Sequence, residues 1–134
     1  MLKYMLDTNI AIYVIKRRPV EVMPTFNTNA ERICISSITL AELLHGAEKS
    51  AKPEQNLKSV EDFVSRLEVL EYGIKAAGHY GDIRAELERK GTPIGVNDLH
   101  IAAHARSESL VLVTNNLGEF ERVSGLRTDN WVAS

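Results

Sequence analysis

An apolar run from Leu2 to Leu6 stops at Asp7, and a second begins at once, with Ile10, Tyr13 and Val14 at helical spacing. The first run suits a buried strand and the second an amphipathic helix. The junction between them delivers one carboxylate to the carboxyl end of a strand. The same pattern recurs. Ile33-Cys34-Ile35 reads as a strand, and Ser36-Ser37 then offers caps for a helix from Ile38 to about Lys49. Leu110 to Thr114 reads as the clearest strand, and Asn115-Asn116 turns it into a short helix, Leu117 to Val123. Short apolar strands alternating with helices predict an α/β fold around a mostly parallel sheet.

The intervening segments agree. Asp7 or Thr8 caps the first helix, which Lys16-Arg17-Arg18-Pro19 ends. A short helix, roughly Val20 to Phe26, runs into the turn residues Asn27-Thr28-Asn29. Pro53 opens a helix whose apolar face is Leu57, Val60, Phe63, Val64 and Leu67, and Glu68 to Leu70 is a third short strand. Ile74, Ala77, Tyr80, Ile83 and Leu87 mark another amphipathic helix, broken by Gly91-Thr92-Pro93. Asn97 or Asp98 caps the next one, which reaches about Ser107. Gly125 to Thr128 is a candidate edge strand, and Trp131 is placed to pack the tail down. With 134 residues and neither linker nor repeat, residues 1–134 are expected to form one domain.

Composition narrows the function only a little. A hydrophobic content of 44% with 25% charged residues is ordinary for a soluble domain. The net charge of -2 does not advertise nucleic-acid binding, yet clustered carboxylates can mask basic patches in the total. Cys34 is the only cysteine, so no internal disulfide forms and a cytoplasmic setting is expected. Its apolar neighbours favour a small buried hydrophobe over a nucleophile. Neither a signal-peptide pattern nor a membrane-spanning run is expected, because Asp7 and Lys16 interrupt the first apolar stretch.

Each acid has a plain structural reading beside a functional one. Asp7 and Asp98 stand where helix caps belong. Glu119 follows Asn116 by three residues, as in a capping box. Glu42 differs: it lies inside Ile38-Thr39-Leu40-Ala41-Glu42-Leu43-Leu44, about a turn into its helix. An unpaired buried carboxylate costs several kcal/mol, so Glu42 finds either solvent or a cation. Parallel sheets gather ligand sites outside the carboxyl ends of their strands, so these acids can converge at one edge. Carboxylates crowded in one cleft raise one another's pKa, and a hard divalent cation relieves the repulsion. Such a centre can bind a phosphodiester and activate water.

Four segments carry a resemblance: Leu6-Asp7-Thr8-Asn9; Ser36-Ser37-Ile38-Thr39-Leu40-Ala41-Glu42-Leu43; Ile94 to Ala105, with Asn97-Asp98 within it; and Val113-Thr114-Asn115-Asn116-Leu117-Gly118-Glu119-Phe120. In order and spacing they resemble the signature segments of PIN-domain nucleases, and most closely the VapC toxins of bacterial VapBC toxin–antitoxin pairs. The resemblance covers essentially the whole chain. It implies a three-layer α/β/α fold and a Mg2+- or Mn2+-dependent endoribonuclease. By position, Asp7 and Asp98 would be the principal metal carboxylates. Glu42 would complete the acidic cluster through water or as a base, and Glu119 would fill the last acidic position. Where many relatives have Asp, this chain has Asn116, so the fourth corner rests on Glu119, with Glu121 as a substitute. Thr8, Asn9, Ser37, Thr114 and Asn115 would orient carboxylates or water by hydrogen bonds. The resemblance also implies a small VapB-type antitoxin that inserts a segment into the active-site groove, a toxin homodimer, a hetero-oligomer of the two proteins, and tRNA as substrate, with the anticodon region of initiator tRNA the first candidate. Ile10 to Val14 and Leu57 to Leu67 are candidate contact surfaces.

Other features weigh less. His100 and His104 are four apart on one helix, but no HExxH motif or third soft ligand accompanies them, which favours a structural role over zinc. Lys16-Arg17-Arg18 is either a solvated helix end or a holder of RNA phosphates that the carboxylates would repel. Asp7-Thr8-Asn9 lacks the second Asp of a phosphoaspartate enzyme of the haloacid-dehalogenase type. The rival function is a non-enzymatic, PIN-like module that only binds a partner, with Asn116 its main support.

Overall fold

The structure, a computed structural model, describes residues 1–132. Five strands form one sheet: β1 (Tyr4–Leu6), β2 (Ile33–Ser36), β3 (Glu68–Leu70), β4 (Val111–Val113) and β5 (Thr128–Asp129), in the order β3-β2-β1-β4-β5. Every pairing is parallel, so the expected mostly parallel sheet is wholly parallel among the described residues. Seven helices flank it: α1 (Thr8–Lys16), α2 (Val22–Thr28), α3 (Ser37–Glu48), α4 (Pro53–Val64), α5 (Ile74–Arg89), α6 (Val96–Ser107) and α7 (Leu117–Phe120). A single 3-10 turn, Ala30–Arg32, leads into β2 and was not anticipated.

The period-two alternation of the strands divides the core into two layers. Met5, Cys34 and Leu112 face α5, α6 and Phe120 of α7, packing with Ile83, Leu87, Leu99 and Ile101. Leu6, Ile33, Ile35 and Val113 face the other way, packing with Ile10 and Val14 of α1, Phe26 of α2, Leu43 of α3 and Phe63 of α4. Burial of each such side chain stabilises the fold by about 1.5–3 kcal/mol relative to exposure. Because both faces of the sheet are covered, the three central strands β1, β2 and β4 carry no charged side chain, whereas the edge strands include Glu68 and Asp129. Trp131 meets the edge of Tyr4, with ring centroids 5.1 Å apart, and closes the second layer.

Several boundaries differ from the sequence reading. Helix α6 begins at Val96 behind Gly95, with no side-chain cap, so neither Asn97 nor Asp98 is its cap. Both lie in its first turn and keep their side chains free for other work. Helix α2 starts at Val22, because its first apolar anchor is Val22 rather than the exposed Val20. Helix α7 stops at Phe120, which is the residue buried under the sheet. The last strand is Thr128–Asp129, where pairing with Leu112 and Val113 is available.

Candidate active site

The parallel register sets the geometry of the centre. Leu6 lies opposite Val113, and the Asp7 N–H donates to the Val113 carbonyl at 2.9 Å. Asp7 and Thr114 are thereby neighbours at the carboxyl edge of the two central strands. Asp7 is 4% exposed and caps α1, its Oδ1 accepting the Ile10 N–H at 2.8 Å. The cap reading is therefore correct, and it occupies only one carboxylate oxygen. Burial pushes the Asp7 pKa up, hydrogen bonds from Thr114 and Ile10 oppose the shift, and the nearby Glu42 charge adds to it.

Glu42 resolves its dilemma in a way the sequence did not show. It is half-buried and keeps some contact with solvent, and among the described residues it pairs with no protein cation. The Thr8 hydroxyl donates to Oε1 at 2.5 Å and the Asn97 amide donates to Oε2 at 2.9 Å. The carboxylate thus ties the start of α1 to the first turn of α6. The sequence offers Asn97 only as a helix cap, and the packing of α6 against α3 is what brings its amide to Glu42.

Asp98 lies in that same first turn, half-buried. It lies beside the Gly95 backbone: a β-carbon there would stand 3.8 Å from Asp98 Oδ2, an ordinary contact. Burial, and then Glu119, with smaller contributions from Asp7 and Glu42, push the Asp98 carboxyl up to about 7. A carboxyl that feels three others at once reports a crowded acidic centre. Glu119 forms its far side. The Asn116 amide donates to Glu119 Oε2, and the Gly95 N–H points at Oε1 from 3.4 Å. Asn116 makes no cap bond to the helix backbone, so the expected capping box is absent; its amide is turned to Glu119 instead. Its backbone N–H bonds the Thr114 hydroxyl at 2.9 Å. Glu121 is exposed at the end of α7 and is not among the groups that shift Asp98.

The supporting residues divide. Thr8 and Thr114 act on carboxylates directly. Ser37 instead accepts the Tyr72 N–H at 3.1 Å and anchors the β3–α5 connection. Asn115 donates to the Tyr13 hydroxyl at 3.0 Å, and exposed Asn9 makes no side-chain hydrogen bond among the described residues. The histidines follow the structural reading: His104 is buried with Nδ1 2.8 Å from Ser36 Oγ, and His100 bonds the Tyr72 hydroxyl at 2.9 Å while stacking on Tyr80.

Among the described residues, no three His, Cys, Asp or Glu side chains close into a metal-holding group. Glu42 and Glu119 are each turned to amide or hydroxyl donors, which leaves an open set of oxygens. Its chemistry fits a hard divalent cation: every donor is oxygen, the acids repel one another, and among the described residues no Lys or Arg ion pair relieves them.

Comparison with known proteins shows the family to which the chain belongs. The PIN domain profile matches residues 4–126. The chain is 65% identical to Ribonuclease VapC2 of Haemophilus influenzae over 132 residues, covering 98% of this chain and all of that protein. It is 60% identical to the tRNA(fMet)-specific endonuclease VapC of Salmonella typhimurium over 131 residues, covering 98% of this chain and 99% of that one. The crystal structure of DNA-bound VapBC from Salmonella typhimurium superposes with a TM-score of 0.95, covering 98% of this chain and all of that chain. With a family profile across nearly its whole length and relatives this similar end to end, the chain belongs to the PIN-domain family and, within it, to the VapC ribonucleases.

Proposed function

We propose that this protein is a divalent-metal-dependent endoribonuclease that acts as the toxin of a VapB–VapC pair and inhibits translation by cutting tRNA, with initiator tRNA the leading substrate. The observation that carries the reading is the meeting of Asp7, Glu42, Asp98 and Glu119, from four different elements, at the carboxyl edge of the sheet. The substrate assignment is supported by the tRNA(fMet)-specific relative at 60% identity.

Asp7 and Asp98 would hold Mg2+ or Mn2+. When bound, such an ion neutralises charge on the scissile phosphate and lowers the pKa of a water. Glu42, held at both oxygens by Thr8 and Asn97, is oriented to accept a proton from the attacking water. As that oxygen bonds to phosphorus, the bond to the leaving ribose oxygen breaks. Thr114 opposes the upward shift that burial imposes on Asp7, and Asn116 is turned to Glu119 on the far side of the centre.

An apolar groove of about 440 Å³ runs away from Glu42 between α1, α3 and α4, over Ile12, Ile15, Leu43 and Val60. It is the proposed seat of the VapB-type antitoxin segment. Ile12 from the stretch Ile10 to Val14, and Ser59 and Val60 from the stretch Leu57 to Leu67, line it, which supports that seat. A homodimer is part of the same reading. Among the described residues no helix is long and apolar enough to cross a membrane.

The test is cleavage of total tRNA by purified protein, with and without Mg2+, beside Asp7→Asn. Metal-dependent cutting that the variant loses supports the reading. Equal cutting by both proteins refutes the site, and no divalent binding by inhibitor-free protein would favour a partner-binding module.

A further inference from the structure

Helix α1 begins at the acidic centre and ends in Lys16, Arg17 and Arg18, all exposed. The ion pairs of the described residues include none of the three. Arg17 also stands in an unfavourable backbone conformation. Its φ of 58° and ψ of 33° are left-handed, and its N–H closes the helix onto the Val14 carbonyl at 3.2 Å. A side chain is strained there, and glycine is the residue that suits such a helix end. The chain meets the same need with Gly91, φ 70°, after α5, and with the small polar Ser109, φ 56°, after α6. At the end of α1 a long cation occupies the place instead.

Its surroundings give that cation a direction. The groove that starts at Glu42 is also lined by Lys16, Ile15 and Ser59. A second concavity of about 220 Å³ shares Ile15 and Ser59 with it and is lined by Arg17 and by Arg66, which is paired with Asp62 at 2.7 Å, so Arg17 is its unpaired cation among the described residues. The two adjoin, so one surface leads from the carboxylates past Lys16 to Arg17. A polyanion approaching four acids is repelled by them and needs attraction from elsewhere. The nine residues of α1 separate the two ends by about 13 Å.

We propose that Lys16, Arg17 and Arg18 form a phosphate-binding rail that grips the RNA backbone about four stacked nucleotides from the scissile position. This rests on the endoribonuclease reading above and names how that enzyme holds its substrate. The left-handed Arg17 then reflects selection for a cation where stability alone favours glycine.

The experiment measures binding of labelled initiator tRNA by fluorescence anisotropy across a salt series, without divalent ion, so that binding is read independently of cleavage. Arg17→Gly is expected to raise Tm by about 3 °C as the turn relaxes. The same variant is expected to bind RNA about fivefold more weakly at 0.1 M salt, with a salt slope shallower by about 0.7. Arg17→Lys should retain most of the affinity. Arg18→Gln repeats the measurement at a residue outside the left-handed region and should also weaken binding. Unchanged affinity and slope in both Arg17→Gly and Arg18→Gln would overturn the proposal. So would a loss confined to the complex with the antitoxin, which would assign the rail to that partner. Metal-dependent cleavage that persists alongside such a result would leave the nuclease reading standing.

Discussion

The two sides of the acidic centre are built differently. Asp7 is buried against the central strands, fixed by the backbone register on one side and by the Ile10 N–H on the other. Glu119 hangs from a four-residue helix over a half-exposed turn, held by the Asn116 amide and a long contact from Gly95 and facing Asp98. One carboxylate is positioned by the sheet itself and the other by a loop. The lesson is that a residue set in a strand end is placed by the whole core, whereas one on a short helix depends on its immediate neighbours. Replacement should therefore cost more at the first.

The largest effect is expected at Asp7. Asn keeps the capping oxygen, so Asp7→Asn should fold with Tm unchanged or slightly raised, the buried charge being gone. Cleavage should fall about 10³-fold, comparable to losing a principal electrostatic group. Single-turnover cleavage beside a thermal melt reads both. The far side is next: Glu119→Gln should reduce cleavage only about tenfold, a loss of about 1.4 kcal/mol in barrier terms. Equal losses at the two positions would break the contrast.

Charge at the open side gives a third expectation. Asn116→Asp exchanges the amide donor to Glu119 for a like charge, so metal-free protein should lose about 1–2 kcal/mol of stability. Mn2+ should restore most of it, as thermal melts with and without the ion would report.

pH provides a fourth. The folded-state pKa of Asp98 rises from 3.8 to about 7, so between those values the folded chain binds more protons than the unfolded one. Stability without metal should therefore fall as pH rises through that window, and Asp7 contributes in the same direction. Because Asp98 is only half-buried, solvent screens the effect to about 1–2 kcal/mol. Asp98→Asn should flatten the dependence in denaturant titrations. The smallest effect belongs to Thr8→Val, which removes one donor from Glu42: about 1 kcal/mol in stability and a few-fold in rate.

Much of the fold was legible because its signals are local. Leu6-Asp7 and Val113-Thr114 read as strand ends from their hydropathy, and Pro53 and Ser36 marked helix starts by their own chemistry. Misreadings cluster where a side chain reaches across elements. Asn97 was taken for a cap although its amide goes to Glu42, 55 residues away. Ser37 was assigned to the carboxylates although it serves the Tyr72 backbone. Asn116 was given a capping role and turns to Glu119 instead. A polar side chain near a helix start has several partners within reach, and nothing local distinguishes them.

By itself, the sequence determined the alternation of strands and helices, the four acids and their order, and the resemblance to PIN nucleases. These follow from periodicity and residue type, which are written residue by residue. Only the tertiary structure decided that Glu42 is held by Thr8 and Asn97, that Asp98 feels three other carboxylates, and that the cations closing α1 stand on the surface leading away from them. The physical reason is that hydrogen bonds and charge interactions depend on distances of a few ångströms between residues far apart in the chain. Those distances exist only once the sheet has set its register.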